Sequence, residues 1–232
     1  SAAEIWSHKL RSALTLVGIV LGTTALVVMV SVIGGLAEAV QSGLDDLGFD
    51  GVVFDNVDGY TATTGFPLTA ADQLAYARFL SAQARQHALW LVGGTLPLRE
   101  SGHTRVRNAC LVFAPDGSQA ARYDKIHLFA FDNGREQYDE GRGLEAGPEP
   151  VALQAGALRV GLSVCYDLRF PELYRALMQP PCDLLCVPSA FTYTTGQAHW
   201  ELLLRARAVE NQCVVLAPAQ GGTHENGRRT WG

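Results

Sequence analysis

The stretch from Leu158 to Arg175 limits the possible folds of this chain more than any other. Leu158 to Val164 reads as a buried strand that ends on Cys165. A polar turn, Tyr166 to Arg169, follows. Pro171 then opens a helix running to Met178, because its fixed φ and missing N–H suit a first helical turn. A strand that passes into a helix through so short an elbow requires a sheet with a helix on its face. The elbow also holds the Cys165 side chain at the sheet rim, beside the N–H groups of a helix start, which favour negative charge. Cys165 then has two readings: a nucleophile, or a small buried thiol.

The rest of the chain after Thr69 agrees with an α/β sheet protein. Thr69-Ala-Ala-Asp72 has capping-box spacing and predicts a helix to about His87, with Leu74, Ala77, Leu80 and Ala84 on its inner side. Strands are predicted at Trp90 to Gly94, Arg107 to Phe113, Ala120 to His127, Leu184 to Pro188 and Cys213 to Ala217. Asn133 to Pro150 reads as a long glycine-rich loop, of the kind that carries function. A helix is predicted from Ala198 to Gln212, with Leu202, Leu203, Ala206 and Val209 facing inward, and Gln220 to Gly232 reads as polar loop. Strands alternating with helices imply a helix-covered sheet.

Residues 1–50 are of another character. Positions 12–37 carry no charge between Arg11 and Glu38, and Leu14 to Ile33 is apolar enough to predict a membrane helix. At ~1.5 Å per residue that run crosses a hydrocarbon layer of ~30 Å. His8, Lys9 and Arg11 ahead of it predict a cytoplasmic N-terminus. The alternative is a buried helix. Val52 to Phe54 is a candidate strand.

Charge and cysteine content exclude two classes. A net charge of −5 argues against a nucleic-acid partner. Five cysteines, an odd number in a chain of 232 residues, argue against a disulfide framework, and a reactive thiol needs a reducing compartment. Cys182 and Cys186 have no second ligand pair nearby, so no metal site is expected.

Candidate chemistry gathers at strand ends. Cys165 ends one apolar run and Lys125 another, and Glu140 lies in the loop between. A thiol attacks, a carboxylate takes its proton, and an ammonium with a backbone N–H stabilises the oxyanion of a tetrahedral intermediate. Each assignment has a plain rival: Lys125 as a strand-edge charge, Glu140 as a solvated loop residue. His199 and Trp200 either line a substrate pocket or pack beneath the elbow.

Three runs, Arg122 to Phe129, Gly161 to Arg175 and Pro188 to Glu201, resemble the nitrilase superfamily of carbon–nitrogen hydrolases. Leu204 to Gln212 and Ala219 to Gly227 extend the resemblance over about residues 65–232. It is nearest the branch of deaminated-glutathione amidases and ω-amidases, through Ser189-Ala-Phe-Thr192 and Thr195-Gly-Gln-Ala-His-Trp-Glu201. The resemblance implies a four-layer α-β-β-α sandwich and hydrolysis of a small linear amide through a cysteine thioester, with no cofactor. It implies Cys165 as nucleophile, Lys125 as catalytic lysine and Glu140 as a positioning glutamate. It puts the Tyr166 N–H in the oxyanion site and Phe191, Thr192 and His199 at the substrate. It also implies a cytoplasmic homodimer, joined through the helix after Cys165 and the helix from Ala198, with Asp167, Arg169 and Glu172 holding the elbow.

Against that family, the chain reads as truncated at both ends. The family's first catalytic glutamate, expected in a Pro-Glu pair after an early strand, has Asp55 as its nearest counterpart, one methylene short. The expected activity is therefore impaired. Glu4 to Gly22 instead resembles the first membrane helix of macrolide-exporter permeases, which predicts membrane anchoring through residues 12–37. Two units are expected: a transmembrane-like segment at 1–50 and an incomplete hydrolase domain at 51–232. The rival readings are a non-catalytic remnant and a chimeric permease fragment.

Overall fold

Leu91 and Val92 are neighbours on one short strand, yet each belongs to a different core. Successive side chains on a strand point to opposite faces, so a sheet with two apolar faces must be covered on both. The computed structural model describes residues 51–53, 70–100, 102–132, 134, 137–224 and 227–231. The predicted membrane segment at 12–37, the capping Thr69 and Asp55 lie outside the described residues. Among the described residues no helix is long and apolar enough to cross a membrane.

The first sheet contains β1 (Gly51–Val53), β2 (Trp90–Val92), β3 (Leu96–Leu98), β4 (Arg107–Phe113) and β5 (Gln119–Asp124). Its order is β1-β2-β4-β3, with β5 also paired to β4, and only the β1–β2 pair is parallel. β6 (Ala130–Asp132) and β7 (Gln137–Asp139) form a separate antiparallel ribbon. The second large sheet contains β8 (Val151–Ala155), β9 (Leu158–Leu162), β10 (Leu184–Cys186) and, beyond β11 (Phe191–Thr192), β12 (Val214–Leu216). Its order is β12-β10-β9-β8, and β9, β10 and β12 run parallel. A small sheet joins β11 to β14 (Arg229–Trp231) and β14 to β13 (Gly222–Thr223).

Three apolar clusters set the layer order. Val92, Cys110, Val112 and Tyr123 of the first sheet pack on Val160, Leu162, Val164 and Cys186 of the second. On the outer face of the first sheet, Tyr76, Leu80 and Ala84 of α1 (Ala70–His87) meet Leu91, Leu96, Leu111 and Phe113. On the outer face of the second, Leu173, Tyr174 and Leu177 of α2 (Pro171–Leu177) and Trp200 of α3 (Tyr193–Asn211) cover Leu185 and Val187. The result is helix, sheet, sheet, helices, the expected four-layer sandwich. Leu80, Leu162, Leu168 and Leu185 are fully buried, each burial contributing about 1.5–3 kcal/mol.

Several expectations are corrected. α3 starts at Tyr193, not Ala198. Gly196, inside its first turns, lies where any Cβ would collide with Trp231, so glycine's low helix propensity is outweighed by close packing on β14. Leu202 and Val209 are not inward but 65% and 77% exposed. The inner side of α3 is Gly196, Trp200 and Arg207, with Leu203 and Leu204 partly buried. Arg207 is an inward residue because its Nε and Nη2 donate to the Leu168 carbonyl at 3.1 and 2.8 Å and its Nη1 to Glu210. Leu74 of α1 is exposed, its expected inner place being taken by Tyr76. The predicted loop at 133–150 contains β7 and a 3-10 turn, Glu140–Arg142. The predicted polar C-terminal loop contains β13 and β14.

Candidate active site

Cys165 stands where β9 gives way to a 3-10 turn, Cys165–Arg169. Its φ is +49°, in the left-handed region that costs a residue with a Cβ about 1–2 kcal/mol. The neighbouring strand holds it there. Ser163 N–H donates to the Cys186 carbonyl and Cys165 N–H to the Pro188 carbonyl, each at 3.0 Å. Such strain, maintained by surrounding bonds, concentrates at functional positions. The Cys165 side chain is half-buried, whereas Cys110 and Cys186 are fully buried between the sheets. Burial pushes the Cys186 thiol up to about 12, and burial and then the neighbouring Cys186 raise Cys110 further.

Lys125 follows β5 on the opposing sheet. Its N–H donates to Asn108 and its carbonyl accepts from Gly147, both at 2.9 Å, so its backbone is fixed on two sides. The side chain is 1% exposed, and Nζ donates to Glu140 Oε2 at 2.6 Å. Burial alone favours the neutral amine. The Glu140 carboxylate, and then a Cys165 thiolate and Asp167, reverse that, and the Lys125 ammonium is held above the ordinary lysine range. Glu140 is fixed in turn: Oε2 also accepts from Phe129 N–H at 2.7 Å, and its own N–H donates to the Phe129 carbonyl at 2.9 Å.

The two sheets are joined at this point by Asp167, a fully buried carboxylate in the Cys165 turn. Oδ2 accepts from Tyr123 Oη at 2.7 Å and Val164 N–H at 2.9 Å. Oδ1 accepts from His127 N–H at 3.0 Å and lies 2.7 Å from His127 Nδ1. Asp167 therefore holds the elbow, as the resemblance implies, and it does so against the Lys125 segment. Tyr123 and His127 were not singled out from the sequence. Their signal is spacing: Tyr123, Lys125 and His127 alternate, so an extended chain turns all three to one side.

Aromatic rings cluster around the Cys165 turn. Tyr166 meets Phe129 edge-on at 5.1 Å and Phe170 at 5.3 Å, and Tyr138 lies 5.9 Å from Phe129. Thus Cys165, Lys125, Glu140 and Tyr166 come together. Phe191 and His199 meet the far end of the same turn, at Arg169, and Thr192 is placed apart from them. Phe191 is buried between Arg169, 5.4 Å above its ring, and Trp200. His199 is exposed, with Nδ1 3.4 Å from Arg169 Nη2. Thr192 pairs its hydroxyl with Thr195. Trp200 packs in the core with Leu168 beneath the elbow. Among the described residues no three His, Cys, Asp or Glu side chains gather as metal ligands do.

A thiol beside a buried ammonium, with a carboxylate fixed on that ammonium, suits attack on a carbonyl followed by oxyanion stabilisation. Residues 52–232 match the family Carbon-nitrogen hydrolase. The deaminated glutathione amidase of Yersinia enterocolitica is 46% identical over 159 residues, 64% of this chain and 53% of that protein. The omega-amidase NIT2 of Homo sapiens is 41% identical over 154 residues, 66% of this chain and 55% of that protein. The structure of the C. elegans NitFhit protein superposes with a TM-score of 0.70 at 34% identity, covering 82% of this chain and 48% of that one. The chain spans about half the length of the curated relatives it matches. With fold, thiol elbow and relatives in agreement, this chain belongs to the carbon-nitrogen hydrolase family.

Proposed function

We propose that this chain is an amidase that cleaves a small linear amide, of the short ω-amide class, through a thioester on Cys165. The observation that carries the reading is the buried Lys125–Glu140 pair, 2.6 Å apart, beside a half-buried thiol on a left-handed elbow. The Cys165 sulfur attacks the amide carbon, and the thiol proton passes to a carboxylate. The Lys125 ammonium and the Tyr166 N–H stabilise the oxyanion. Collapse breaks the C–N bond, the proton goes to the leaving nitrogen, and ammonia departs. Water then attacks the thioester, yielding the carboxylic acid and the free thiol. Glu140 positions the lysine. Phe191 and His199, both in contact with Arg169 of the Cys165 turn, act with Thr192 on the substrate side.

Asp55, two residues beyond β1, is the proposed proton acceptor. It is one methylene short of a glutamate, and a misplacement of ~1 Å costs ~10²-fold in rate. The test is ammonia release from short-chain ω-amides. Slow release by the parent, its loss in Cys165→Ala and a gain in Asp55→Glu are expected; release equal to buffer background in all three rejects the reading. A homodimer through α2 and α3 is part of the proposal, supported by Leu202 and Val209 standing exposed on α3. Sedimentation at the mass of one chain, unchanged with concentration, would remove that part.

A further inference from the structure

We propose that His127 is a positioning residue, acting with Tyr123 through Asp167 to hold Lys125 in register with the Cys165 sulfur. Lys125 and Cys165 are on opposing sheets, so their separation depends on how one sheet sits against the other. Asp167 bridges them at the site itself. Two of its donors, Tyr123 and His127, stand two residues on either side of Lys125. Another, Val164 N–H, immediately precedes Cys165. Tyr123 Oη also accepts from Ile126 N–H at 3.3 Å, closing the segment around Lys125. His127 is stacked on Phe170, the residue that ends the Cys165 turn, with ring centroids 3.6 Å apart and planes 7° apart. The imidazole thus touches the elbow twice, by Nδ1 at Asp167 and by its face at Phe170. A fully buried carboxylate meeting four donors within 3.0 Å has little freedom to turn.

This inference rests on the amidase reading for the role of Lys125, and the test reads the thiol directly, so the two fail separately. The measurement is the iodoacetamide rate of Cys165 against pH, with labelling of Cys110 and Cys186 as the control for unfolding. His127→Leu removes the Nδ1 donor and the ring. His127→Asn removes the ring but leaves an amide N–H where Nδ1 sits. An ammonium within reach of a thiolate favours it by about 1–3 pH units, so a displaced Lys125 shows as an upward shift of the alkylation midpoint. A rise of about one unit is expected for His127→Leu, with most of it recovered in His127→Asn and Cys110 and Cys186 still slow. Tyr123→Phe, which loses one bond and keeps its ring, is the second variant should His127→Leu fail to fold; a smaller rise is expected there. A midpoint unchanged from the parent in a folded His127→Leu, or in Tyr123→Phe where it is the variant used, overturns the proposal. Equal shifts in Leu and Asn also overturn it, since the donor would then have no part.

Discussion

Replacing Glu140 by glutamine tests whether Lys125 is held as a charged group. The substitution keeps an oxygen for Phe129 N–H and Lys125 Nζ but removes the negative charge 2.6 Å from Nζ. At an effective dielectric of ~20, two unit charges ~4 Å apart attract by about 4 kcal/mol. The loss has a ceiling, because Lys125 can give up its proton. From an ordinary value of 10.5, deprotonation at pH 7 costs about 5 kcal/mol. Glu140 is 28% exposed, so water reaches its side of the pair and the glutamine dipole retains part of the attraction. A loss of about 2–3 kcal/mol at pH 7 is expected, toward the lower end of what breaking a buried pair costs. The pH dependence has a definite sign. In the parent the folded Lys125 value is raised, so its contribution is fully present below 10.5 and is lost only as pH rises through the folded value. In Glu140→Gln burial dominates and the folded value falls below the unfolded one, so the variant regains stability as pH rises through it. Urea melts followed by tryptophan fluorescence at pH 7, 8.5 and 10 should show the gap between the proteins narrowing with pH. A gap under about 0.5 kcal/mol at pH 7, or one that does not change with pH, would refute the charged pair.

Two further substitutions probe the elbow and the helix behind it. Cys165→Gly should be more stable than Cys165→Ala by about 0.5 kcal/mol in urea melts, because relief of the left-handed strain, ~1–2 kcal/mol, outweighs glycine's backbone entropy of ~0.5–1 kcal/mol. An alanine variant as stable as the glycine variant would mean that the φ of +49° is not costly there. Gly196→Ala should lose about 1–3 kcal/mol by overpacking against Trp231, read as a lower Tm; an unchanged Tm would mean that β14 yields.

How legible the fold was depended on whether the inward residues were apolar. Arg107 to Phe113 was bounded correctly, because apolar and aromatic residues there serve both faces of the strand. Pro171 announced α2 for the same local reason that it starts it. α3 misled because apolar periodicity assigns the inner side to leucine and valine, whereas Arg207 takes it by binding the Leu168 carbonyl. That carbonyl is some forty residues away in sequence, and no local pattern announces it. The start of α3 was placed five residues late, since the reason a glycine is accepted at 196 is the distant Trp231. In the site, Cys165 and Lys125 were legible as polar residues interrupting apolar runs, and Glu140 as a charge in a loop between them. Asp167 was legible only through resemblance, and the partners it chooses only in three dimensions.

The arrangement of these groups explains why the candidate site sits at a seam. Lys125 comes from the first sheet, Cys165 from the second, and Glu140 from the turn after the β6–β7 ribbon. No single element could hold an ammonium dry and leave a thiol half-open, because the first needs two packed layers and the second needs their rim. At such a rim the apolar packing that fixes the layers, Val92 and Val112 against Val160 and Leu162, fades toward solvent and leaves the last contacts underdetermined. Polar bonds with fixed directions must take over there. Asp167 does so with four donors drawn from both sides of the seam, and the backbone bonds of Ser163 and Cys165 to the β10 segment hold Cys165 in a conformation that it would otherwise leave. Loosening this polar seam should therefore change the thiol's reactivity before it changes the stability of the sandwich.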